Sequence, residues 1–119
     1  MERVSLTDRE PAEAADGVHL ALLAGTDSMN VQHFEIEPGA VVEEHSHPHE
    51  QTGYICSGEL TFLVGGDDRD GRTEIVCGPG DSYAIPGDQP HAAENRSDEV
   101  VRGVDIFSPP RKDPSWRGE

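Results

Sequence analysis

Three of the chain's six histidines fall in one short stretch, His45-Ser46-His47-Pro48-His49-Glu50-Gln51. On extended backbone, residues two apart face the same side, so His45 and His47 point together. Gln51 shares that parity if the strand continues beyond Pro48. Two imidazoles and an amide oxygen suit a first-row divalent ion, because imidazole favours Fe, Ni, Cu and Zn while oxygen favours the harder Mn. A further histidine, His91, follows the turn IPGDQP and opens a later β-prone run. Surface histidine clusters also occur, so this run alone leaves a metal site and a solvated cluster both open. His49 has the parity to join the set, but Pro48 breaks the strand just before it, which favours a supporting or surface role.

A second constellation closes the last β-prone run, Val104-Asp105-Ile106-Phe107-Ser108-Pro109-Pro110-Arg111. Asp105 and Phe107 share one face of a strand, and Arg111 follows a rigid Pro-Pro turn. A carboxylate beside a Phe on a core face is costly, and it makes sense if that face borders a metal pocket. Asp105 could then move a proton, Phe107 could wall the pocket, and the planar fork of Arg111 could clamp a carboxylate. The alternative is that Asp105 faces solvent and Arg111 pairs with a surface acid.

The elements that must position these groups are short strands. From Val18 onward the runs VHLALLAG, NVQHFEIE, VVEEHSH, QTGYICSG, ELTFLVGG, RTEIVCG, DSYAIP and VVRGVDIF follow one another, most of them divided by Gly, Pro, Asp or Asn turns. Some alternate, as Thr61 and Leu63 do against Phe62 and Val64. The expected fold is all-β, one domain: an N-terminal arm over 1–16, a barrel over 17–108 and a proline-rich tail over 109–119. At 119 residues the chain is long enough for one domain of ordinary size, and 34% hydrophobic content limits it to one compact core.

Lys and Arg number 9 against 24 Asp and Glu, a formal charge of -15. That field repels phosphate backbones and anionic lipid, so neither nucleic acid nor membrane is an expected partner. No apolar run approaches the roughly 20 residues of a membrane span, and residues 1–16 have no apolar signal core, so a cytoplasmic domain is expected. Only Lys112 among the basic residues is a lysine. Acid-rich, lysine-poor surfaces stay hydrated in concentrated salt, and a halophilic source with salt-dependent folding is the corresponding expectation. Cys56 and Cys77 sit in β-prone runs as small apolar residues, a bridge between them being the minority reading. His19 and His33 lack partners in their runs and read as structural.

Two spaced patterns carry a family resemblance. Gly39-(5 residues)-His45-Ser46-His47-(3 residues)-Gln51-(6 residues)-Gly58 resembles the first motif of the cupin superfamily. Gly80-(5 residues)-Pro86-Gly87-Asp88-(2 residues)-His91-(3 residues)-Asn95 resembles the second. The resemblance covers about residues 31–107 and implies a small jelly-roll barrel with one divalent metal ion (Ni, Zn, Mn or Fe) inside its mouth. Its ligands by that match are His45, His47, Gln51 and His91. Two positions depart from the commonest pattern. Gln51 stands where Glu is usual, although a branch of small cupins carries HxHPHEQ; one negative charge fewer leaves the cation a fuller +2 charge, suited to polarising a sugar. Asp88 stands where Gly or Asn is usual, in a turn that Asp tolerates.

HSHPHEQ, IPGDQPH and the terminal DxFSPPRxD together resemble the KdgF-type cupins of pectin and alginate catabolism. These convert 4,5-unsaturated monouronates into linear 5-keto-4-deoxyuronate. By position, Asp105, Phe107 and Arg111 match catalytic and substrate-contacting residues of that family. The partner so implied is a small carboxylated sugar. Two other readings stay open: a metal-dependent dioxygenase-type cupin, and a non-catalytic small-molecule sensor. Exposed edges of a small barrel, together with the arm at 1–16, make a homodimer the expected assembly.

Overall fold

The structure is a computed structural model that describes residues 1–65 and 72–111. The turn expected over 65–72 and the tail beyond Arg111 lie largely outside the described residues. The all-β expectation holds. Ten strands run as β1 (Ala12–Ala15), β2 (Val18–Gly25), β3 (Asn30–Ile36), β4 (Val41–His45), β5 (Glu50–Ser57), β6 (Leu60–Val64), β7 (Thr73–Cys77), β8 (Ser82–Ile85), β9 (His91–Glu94) and β10 (Val101–Ser108). Among the described residues the only helical turn is a single 3-10 turn at Leu6–Asp8.

The strands form two antiparallel sheets in a jelly roll, one ordered β1-β2-β3-β10-β5-β8 and the other β4-β9-β6-β7. Period-two burial explains most of them. In β3, Asn30, Gln32, Phe34 and Ile36 are buried while the residues between them are not, and β10 alternates in the same way from Val101 to Ser108. Strand β6 departs from the alternation expected for it: Leu60, Thr61, Phe62 and Leu63 are all buried, so both of its faces are covered.

One apolar cluster joins the sheets, with Val18, Phe34, Ile36, Ile55 and Val101 from the six-stranded sheet against Leu60, Phe62, Cys77 and Ala93 from the four-stranded one. Each fully buried large side chain contributes about 1.5–3 kcal/mol. Cys77 is buried, Cys56 is exposed, and both are free thiols.

Within the N-terminal arm, residues Ala12–Ala15 form a strand that pairs with β2 of their own chain and takes the edge of the larger sheet. His19, beside it on β2, donates its Nε2–H to Glu37 Oε2 at 2.6 Å, and this contact raises its pKa above the ordinary value.

Candidate metal centre and its cavity

Strand β4 ends at His45, residues 46–49 turn, and β5 begins at Glu50. The strand therefore does not continue past Pro48, and shared parity is not what unites His45 with Gln51. They meet because β4 and β5 lie in opposite sheets whose inner faces look at one another. His91 opens β9 directly opposite His45 in the β4–β9 ladder. Ring centroids lie 4.3 Å apart for His45 and His91, 5.5 Å for His45 and His47, and 5.3 Å for His47 and His91.

Close backbone contact holds the two motif loops together. The Asp88 N–H donates to the His47 carbonyl at 2.7 Å, with Asp88 at φ 66, a left-handed conformation that Asp enters more easily than most residues. A Cβ on Gly87 would stand 2.6 Å from the Pro48 carbonyl oxygen, so only glycine permits this approach. Asn95, which ends the second motif, has a purely architectural place. It is 1% exposed, and its amide donates to Ile36 and Glu99 carbonyls while accepting from Ser97.

The imidazoles are set up as ligands. Each donates its Nδ1–H to a backbone carbonyl: His45 to Glu43 at 3.0 Å, His47 to His49 at 3.1 Å, and His91 to Gln89 at 2.9 Å. A carbonyl only accepts, so the proton sits on Nδ1 and the Nε2 lone pair is free, the arrangement that orients metal-binding histidines. Nε2 of His47, Nε2 of His91 and Oε1 of Gln51 are buried with no partner among the described residues. Ligand nitrogens of His45, His47 and His91 all lie within 4.8 Å of one another. Burial lowers the pKa of His47, and that of His91 to about 4, so both are neutral near pH 7. Three imidazoles and an amide oxygen fit a first-row divalent ion. His49 falls outside this trio, its ring edge-on to Phe107 at 6.2 Å.

Asp105, Phe107 and Arg111 border the same cavity of about 600 Å³. Asp105 is 7% exposed and Phe107 1%, so the surface alternative for the carboxylate does not hold. Burial raises the Asp105 pKa to about 6, against the opposing pull of hydrogen bonds from Tyr83 and Gln51 and of the Arg111 charge. An amide NH2 that donates to Asp105 leaves the Gln51 oxygen for the histidine side. The Arg111 guanidinium lies over the Phe107 ring, 5.1 Å from its centroid. Its backbone N–H donates to Asn30 Oδ1 at 2.7 Å, which ties the Pro-Pro turn to β3.

Sequence reasoning missed Tyr83, Gly53 and Gln32. The ladders place Gln32, Asp105, Gly53 and Tyr83 in one row across β3, β10, β5 and β8. Tyr83 reaches over Gly53 and donates its hydroxyl to Asp105 Oδ1; a Cβ on Gly53 would stand 2.5 Å from that carboxylate oxygen and closer still to the phenol. The one available signal was the inward parity of Tyr83 with Ile85 in DSYAIP. Gly53→Ala is expected to destabilise the fold by about 1–3 kcal/mol through overpacking. Thermal unfolding checks this, and an unchanged midpoint would mean that Tyr83 moves aside freely.

Comparison with known proteins accords with this arrangement. The family model described as Cupin domain matches residues 32–107. A Bacillus subtilis protein described as an H2HPP isomerase is 34% identical over 71 residues; that stretch is 60% of this chain but only 28% of the relative. The structure of KdgF from Halomonas sp. superposes with a TM-score of 0.81 at 23% identity, covering 95% of this chain and 97% of that one. An RmlC-like cupin from Shewanella frigidimarina gives 0.79 at 25% identity, covering 95% and 96%. With both motifs on one cavity and the family model spanning most of the strands, the chain belongs to the cupin family.

Proposed function

We propose that this chain is a metal-dependent enzyme that converts 4,5-unsaturated monouronates into the linear 5-keto-4-deoxyuronate. The observation that carries this reading is the convergence of a buried carboxylate, a half-buried guanidinium and three imidazoles on one cavity of about 600 Å³. The fold shared with a KdgF and the isomerase name of the Bacillus subtilis relative support a reaction with no net change in oxidation. His45, His47, Gln51 and His91 would hold the ion, which when bound supplies Lewis acidity toward substrate oxygens without changing valence.

The residues do the rest. Arg111 takes the substrate carboxylate in its fork, steadied by the Phe107 face beneath it. Phe107, buried and flat, walls the ring. Asp105 accepts the proton of the anomeric hydroxyl as the bond from that carbon to the ring oxygen breaks, which leaves an aldehyde and, with the bonding pair on the former ring oxygen, an enolate at the far end. The same proton is delivered to the neighbouring carbon of the enolate, and the ketone forms. No atom is gained or lost. Tyr83 holds the carboxylate in place for both transfers.

The test follows the ultraviolet absorbance of a 4,5-unsaturated monouronate in high salt, with metal-loaded protein beside a chelated control. Metal-dependent loss above the spontaneous rate is expected. No acceleration by protein shown to hold metal would overturn the reading and turn attention to oxygen chemistry or ligand binding.

A further inference from the structure

Gln32 is 3% exposed, borders the cavity, and has a buried Oε1 with no hydrogen-bond partner among the described residues. Nothing in its own row can satisfy it. Leu22 lies opposite on β2, Asp105 lies opposite on β10, and a carboxylate has no proton to give an amide oxygen. Its neighbours of the same parity on β3 do not satisfy it: Phe34 is apolar, and Asn30, whose oxygen accepts from the Arg111 backbone, gives it no hydrogen bond. A buried polar atom left unpaired is costly, so a core position on a strand would ordinarily carry an apolar side chain.

We propose that Gln32 reads the substrate: its amide hydrogen-bonds a hydroxyl on the carbon next to the one whose hydroxyl Asp105 deprotonates. This rests on the reading of Asp105 and the monouronate given above. Two features select a hydroxyl. An amide turned by a half-rotation exchanges its acceptor for a donor, and a hydroxyl can meet either. Directly opposed cross-strand residues stand about 4.5–5.5 Å apart at Cβ, so Gln32 and Asp105 address adjacent substrate oxygens rather than opposite ends of the ring. The hydroxyl in question is at C2. Unsaturated monouronates derived from galacturonate and from mannuronate differ in configuration at C2 alone, since the double bond erases the difference at C4. Gln32 is thereby the residue that tells them apart.

The experiment compares wild type, Gln32→Leu and the near-isosteric Gln32→Met on both unsaturated monouronates, alongside thermal unfolding. Wild type should prefer one epimer. Both variants should raise KM for that epimer about tenfold, move kcat little, and bring the two specificity constants together. Their unfolding midpoints should stay level or rise, because an unpaired buried amide has been removed. Active variants with an unchanged epimer ratio would overturn the role of Gln32 and leave the proposed reaction standing, and so would a lowered midpoint in both, which marks a structural residue. Wild type without turnover would instead fell the proposed reaction. Calorimetry with saturated glucuronate and mannuronate, which differ at C2 alone, then decides on Gln32 alone: weaker binding of one epimer by the variants supports it, and equal or absent binding overturns it.

Discussion

Asp105→Asn should cut turnover by about 10²–10⁴-fold while the protein keeps its metal and its fold. The amide matches the carboxylate in shape but cannot accept the substrate's proton. Its oxygen can still receive the Tyr83 hydroxyl, so the row across the sheet survives. Folding should not suffer, because a neutral amide is easier to bury than a carboxylate at a site only 7% exposed. The pH profile supplies an independent signature. With its pKa raised to about 6 by burial, Asp105 becomes a competent base only as pH climbs through that region. Wild-type kcat should therefore rise with pH along a limb centred near or below 6, since a bound cation adds to Arg111 in favouring the carboxylate. The limb should vanish in the variant. Full turnover by Asp105→Asn, shown to contain metal, would remove Asp105 from the chemistry.

His91→Ala should lose the metal. Replacing a group that merely orients a ligand costs 10–100-fold in metal affinity, so deleting a ligand should cost about 100-fold or more. His91 is the most buried of the three histidines, and its Nε2 has no partner among the described residues. Metal content after dialysis reads the effect, and turnover should fall with it. His49→Ala is the matched control. It removes an imidazole from the turn that carries His47 but from outside the trio, so metal content should stay at the wild-type level. Retention of metal by His91→Ala, or equal loss from His49→Ala, would mean that the centre is not built as described. Chelation of the wild type should reproduce the His91→Ala phenotype without altering a single side chain.

What could be read before folding was whatever depends on local geometry. Alternation with period two put Asp105 and Phe107 on one face, and the buried pattern of β10 shows the same alternation. Turn residues divided the chain into strands at nearly the right places, because Gly, Pro and Asp act on their own backbone. The spacing of His45 and His47 is likewise local, and the two motifs fit the cupin family that the chain belongs to. The arm was read less well: its alanines carry little signal, and only the free edge of β2 makes Ala12–Ala15 a strand.

The row formed by Gln32, Asp105, Gly53 and Tyr83 has no local signature. Apart from Asp105, each member is ordinary in its own segment, and they meet only because β3, β10, β5 and β8 pair in one register. A slip of one residue in any ladder would turn that member to the outer face. Gln51 makes the same point, since it shares a cavity with His45 by facing it across two sheets rather than along one strand. Thus residue types and their periodicity determined which side chains look inward. Long-range pairing decided which inward side chains touch, because hydrogen-bonded register is a property of strand pairs and of no single strand.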